Sequence, residues 1–138
     1  MITGDAVTEI ATRLNLLYPN NVLRYGNNLD DAVQHKPPFV FVQGSVQPLK
    51  ENYEEINGIM QTWVEVQISF FNFITSNIEA NVRTIATEIY NQIEGGSYTN
   101  IDLIKWVEFG IYGEIYEDLC GGYFIINLLV HFFRNSIT

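Results

Sequence analysis

The stretch VEVQISFFNFITSNIEANVRTIATEIYNQIEGG, residues 64–96, changes its hydrophobic period midway. Val64, Val66, Ile68 and Phe70 alternate with Glu65, Gln67 and Ser69, the pattern of an extended segment with one apolar and one polar face. Trp63, Phe71 and Phe73 fall on the polar parity, so the ends of that face are not fully solvated. Beyond them, Ile78, Val82, Ile85, Ala86, Ile89, Tyr90 and Ile93 recur at spacings of three and four, which predicts a helix with one apolar stripe. Ser76 and Glu79 have capping-box spacing at its start. Gly95-Gly96 suits a left-handed stop at its end. A strand therefore feeds almost directly into a helix that folds back on its sheet.

Working outward, Val7, Ile10, Ala11, Leu14, Leu17 and Tyr18 form a second helical stripe, with Thr3 or Asp5 as the cap and Pro19 as the stop. VLRY, 22–25, reads as a short strand, and GNNLDDAVQHKPP, 26–38, as a polar loop. Pro37-Pro38 disfavours helix ahead of FVFVQGSVQ, a strand from Phe39. Between two strands, PLKENYEEINGIMQ, 48–61, predicts a long hairpin with an acidic tip. IKWVEFGIYGEIYED and YFIINLLVHFFRN read as two further strands joined near Gly121-Gly122. The last is apolar on both parities, Phe124, Ile126, Leu128, Val130 and Phe132 against Tyr123, Ile125, Leu129 and Phe133. A half-solvated strand would alternate, so both of its faces need cover. Helices cover one of them; either parity fits. The expected fold is α+β, a single two-layer domain of residues 1–138 with two helices on one face of a mainly antiparallel sheet.

At 138 residues the chain suits one domain with a real core. Sixteen acids against seven bases give a net charge of −9, which disfavours a nucleic-acid grip built on counterion release. Cys120 is the single cysteine, so an intramolecular disulfide is excluded. MITGDAVTEI lacks the basic-then-apolar pattern of a signal peptide, and YFIINLLVHFF is too short to span a bilayer. These features predict a soluble protein made in a reducing cytoplasm.

Residue types that could carry chemistry are present without the spacing chemistry needs. His35 follows Asp30-Asp31, but no second histidine or cysteine lies at ligand distance, so a solvated loop is expected. His131 reads as a packed or interface residue, and Cys120 as a buried or turn thiol. The acidic groups Glu51, Glu54, Glu55 and Glu114, Glu117, Asp118 do not match a calcium loop and read as solvated edges. Trp63 and Trp106 could stack a ligand, but packing explains them better. No enzyme, cofactor or metal site is expected.

The element order resembles the tail terminator, or tail completion, proteins of long-tailed bacteriophages. The resemblance spans the whole chain and rests on the N-terminal amphipathic helix, PPFVFVQ, the charged hairpin, VEVQISFFN running into a helix, and an aromatic closing strand. It implies a virion protein of the tail and neck, assembled in the host cytoplasm. Such a protein forms a homomeric ring, usually a hexamer, that caps the tail tube and halts its polymerisation. Its implied partners are further copies of itself, the tail tube protein and a head-completion or neck protein, with phage DNA passing through the lumen unbound and no membrane. An acidic lumen suits that passage, because it repels phosphate. The expected interface residues are Lys50, Glu51, Glu54 and Glu55 in the hairpin and Trp63 and Leu129 on the strands. Glu114, Glu117 and Asp118 complete them. Alternatives are another neck or minor capsid protein, a small ligand- or peptide-binding module, or a small carboxylate hydrolase.

Overall fold

The computed structural model describes residues 2–19, 21–24, 39–44, 54–56, 59–73, 77–114 and 119–133. Two helices, α1 (Ile2–Asn15) and α2 (Ile78–Glu94), lie against one face of a six-stranded sheet. Its strands are β1 (Val22–Arg24), β2 (Phe39–Gly44), β3 (Glu54–Ile56), β4 (Ile59–Phe73), β5 (Ile101–Glu114) and β6 (Leu119–Phe133). They run β1-β2-β4-β6-β5 across the sheet, with β3 paired to the start of β4. Among the described strands β1 and β2 are parallel and every other pair is antiparallel. The chain is thus the two-layer α+β fold expected from its periodicities.

The core lies between helices and sheet. Val64, Val66, Ile68 and Phe70 of β4 are fully buried there, beside Ile126 and Leu128 of β6 and Val40 and Val42 of β2. From above, α1 contributes Ile10 and Leu14, and α2 contributes Val82, Ile89 and Ile93, each pair or set on one helical stripe. Burying such a side chain contributes roughly 1.5–3 kcal/mol, so the shared stripe outweighs any single polar contact. The helices are also clamped to each other. Arg13 Nε donates to the Gln92 carbonyl at 2.7 Å, and Gln92 Nε2 returns a bond to the Arg13 carbonyl at 3.0 Å.

Several local expectations are corrected. Helix α1 begins at Ile2, so Thr3 and Asp5 lie inside its first turn and neither caps it. The cap of α2 is Asn77, whose Oδ1 accepts from Ala80 N at 3.2 Å; Ser76 lies outside the described residues. With the cap at Asn77, Glu79 stands one residue before the position from which a capping-box carboxylate reaches back, and it pairs with Arg83 at 3.0 Å instead. At the other end Gly95 has φ −80° and is right-handed. A Cβ on Gly96 would lie 2.7 Å from the Tyr98 hydroxyl and 2.9 Å from Arg13 Nε, so a larger residue there would have to displace both side chains.

Gly121-Gly122 is no turn either: both residues sit inside β6. A Cβ on Gly121 would lie 2.0 Å from the Phe70 carbonyl oxygen, so the pair lets β6 press close on β4. The acidic segment contains a third element, β3, whose Glu54 and Glu55 pair with Gln61 and Met60 of β4. Its remaining acidic tip, with His35 and the 26–38 loop, falls outside the described residues.

Strand β5 is irregular. Its register against β6 slips at Asp102, Val107 and Tyr112, three bulges five residues apart. Each extra residue keeps the apolar set Ile101, Ile104, Trp106, Phe109 and Ile111 on the helix side.

Candidate interface on the bare sheet face

The two parities of β6 go to opposite sides of the sheet, and among the described residues no helix or strand packs over the second side, the bare face. Cys120, Phe124, Ile126, Leu128 and Val130 are buried beneath the helices, while Tyr123, Ile125, Asn127, Leu129 and His131 are half-buried on the other side. Register with the neighbouring strands then writes that second face out row by row. Trp63 of β4, Leu129 of β6 and Leu103 of β5 form one apolar row, and Leu103 is 58% exposed. On one side of it lies Glu65, Asn127 and Lys105.

On the other side, Gln61 is the register partner of His131, and both reach Asp102. His131 Nδ1 lies 2.7 Å from Asp102 Oδ1, and Gln61 Nε2 donates to Asp102 Oδ2 at 2.9 Å. An apolar centre bracketed by polar rows has the composition of a protein–protein contact, with tryptophan the residue type that most often dominates one.

Elsewhere the face is mixed, with Ile59 and Phe73 exposed at the two ends of β4 and other parts closed or polar. Phe39, Phe71 and Leu119 form a separate buried cluster, with Phe39 and Phe71 stacked at 4.9 Å. Next to it Gln67, Ser69 and Tyr112 share hydrogen bonds of 3.1–3.3 Å. Tyr123 donates to Glu108 at 2.6 Å, and that bond to a carboxylate holds its phenol above the ordinary range.

Of the sequence-predicted interface residues, Trp63 and Leu129 are brought together as direct register partners. Glu54 and Glu55 lie in β3 and Glu114 ends β5, in none of the three rows. Lys50, Glu51, Glu117 and Asp118 lie outside the described residues. Sequence reading put Glu65 on the Trp63 side of its strand but missed Leu103, Lys105 and Asp102, because placing these requires the β5 bulges and the register of three strands.

The helix side carries a cleft of about 390 Å³ between α2 and β5, lined by Arg83, Ala86, Thr87, Tyr90, Phe109 and Phe124. The Arg83 guanidinium stands 5.6 Å from the Phe109 ring centroid, and Tyr90 packs on Trp106 at 4.7 Å. Burial raises the Cys120 thiol pKa, which keeps it protonated and a poor nucleophile. Its Sγ donates instead to the Phe73 carbonyl at 3.4 Å. Among the described residues no three His, Cys, Asp or Glu side chains gather to hold a metal ion. No helix among them is long and apolar enough to cross a membrane. Compared with protein-family models and with curated proteins, the sequence matches none.

Proposed function

We propose that the chain is a structural virion protein, a tail terminator of a long-tailed bacteriophage. It closes into a homomeric ring on the tail tube, stops the tube growing and presents a surface to a head-completion protein. The observation that carries this reading is the bare sheet face with its Trp63–Leu129–Leu103 row. A sheet whose described helices lie on one side, and whose other side holds apolar groups between polar rows, favours association over chemistry. The −9 charge supports it, since an acidic lumen lets DNA pass without phosphate contacts.

The test is to add purified chain to polymerising tail tube protein and follow tube length by electron microscopy. Rings seated on tube ends and a sharp reduction in elongation are expected. Tubes that grow to the same lengths with bare ends would remove the proposal.

A further inference from the structure

Three side chains lie level across the bare face: Glu65 on β4, Asn127 on β6 and Lys105 on β5. Neighbouring strands stand about 4.8 Å apart, so opposite charges flank Asn127 at equal distances. This row has a symmetry property that the apolar row beside it shares. Let a second copy be laid on the first, face to face, about a two-fold axis running along β6. Glu65 of each copy then meets Lys105 of the other, twice. Trp63 meets Leu103, also twice, while Leu129 and Asn127 each meet their own counterpart.

A two-fold axis across the strands instead sets Glu65 on Glu65 and Lys105 on Lys105. The charges therefore choose one stacking and reject the other. Aligned sheets pack within about 30° of one another, so the favoured stacking is also a common one.

Asn127 supplies an independent sign. Its Oδ1 is buried and has no hydrogen-bond partner, although buried polar atoms are as a rule paired. On the axis, rotation of the amide about its last torsion lets the nitrogen of one copy donate to the oxygen of the other. A self-pairing asparagine of this kind fixes register in coiled coils.

We propose that the bare face pairs with the same face of a second copy, about an axis along β6, held by two Glu65–Lys105 contacts around a Trp63–Leu129–Leu103 centre. This goes beyond the ring. A ring joins two different surfaces, whereas this contact joins one surface to itself. The pair covers the apolar row in the free protein and has to open before that face serves in a ring.

The experiment is sedimentation of the full chain over a concentration series, with circular dichroism to establish that each variant is folded. The parent should form dimers. Glu65→Lys and Lys105→Glu should each weaken the dimer by roughly tenfold or more, because both contacts become like-charged. An equimolar mixture of the two variants should recover it, since the mixed pair restores both opposite-sign contacts. The double exchange within one chain should recover it too. A parent that stays monomeric at millimolar concentration overturns the inference, as do single variants that dimerise like the parent or a mixture that stays monomeric. Rings without a dimer overturn the pair and leave the terminator reading standing. A dimer whose protein never caps a tube leaves the pair standing and removes that reading.

Discussion

Leu128 and Leu129 are neighbours in the chain and lie on opposite sides of the sheet, Leu128 fully buried beneath the helices and Leu129 half-buried on the bare face. The same substitution should therefore act on different equilibria at the two positions. Leu128→Glu places an unpaired carboxylate in the core and should abolish folding. Leu129→Glu should leave the circular dichroism spectrum intact and prevent self-association. If both variants unfold, the bare face is covered within one chain, and light scattering beside the spectra distinguishes the outcomes.

Asn77→Ala removes the side chain that accepts from Ala80 N and should cost about 1 kcal/mol, read from chemical denaturation. Ser76→Ala should change the midpoint much less. The reverse order would return the cap to Ser76.

Gly121 and Gly95 offer a paired test of space. Gly121→Ala drives a Cβ to within 2.0 Å of the Phe70 carbonyl oxygen, inside a paired strand that cannot shift alone. It should cost about 3 kcal/mol or more. Gly95→Ala meets its nearest atom at 3.2 Å with a right-handed backbone, and should stay within about 1 kcal/mol of the parent. Comparable losses would mean that the strands do not approach as closely as described.

High pH should destabilise the fold through its buried phenols. Burial holds Tyr98 in its neutral form, with its pKa pushed up from 10.0 to about 12, and burial with Glu88 moves Tyr18 in the same direction. Below pH 10 both are neutral in folded and unfolded chains alike, so the stability they confer is complete. Between 10 and 12 the unfolded chain ionises first, and that stability is lost as pH rises. Denaturation midpoints measured across this window should fall, and Tyr98→Phe should flatten the fall.

Deleting Val107 should remove the middle bulge of β5 while Trp106 and Phe109 keep their side of the sheet, since the extra residue only corrects parity. Bulges on an edge strand hinder pairing with other chains. The deletion should thus fold and aggregate faster, as followed by light scattering. Unchanged scattering would mean that the bulge does not guard the edge.

The elements with one clean period were readable from residue types alone: the 64–70 alternation, the stripe of α2 and the stripe of α1 as far as Leu14 appear where their spacing put them, while Leu17 and Tyr18 lie past the end of α1 at Asn15. Strand β5 was harder because Ile101, Ile104, Trp106, Phe109 and Ile111 are spaced three, two, three and two, matching neither strand nor helix until the bulges are known. Gly121-Gly122 has turn composition, and the close approach of β4 that explains it is a tertiary fact. The parity of β6 was undecidable, since both sides are apolar. Its outward side follows only from pairing with β4, and so does the candidate interface.

Strand β6 is the last of the described elements along the chain and sits between β4 and β5. Every residue of β4 from Ile59 to Phe73 is paired with it, so the core has no floor until Phe133 has been synthesised. A nascent chain holding both helices and five strands still lacks the strand on which α2 and β5 rest. Its native contacts are distant in sequence, which places refolding toward the millisecond-to-second end of the small-domain range. Synthesis at about 5–20 residues per second therefore leaves Val64, Val66 and Ile68 exposed for seconds on the ribosome. Abundance in the cell should accordingly depend on chaperone supply more steeply than the stability of the finished fold would suggest.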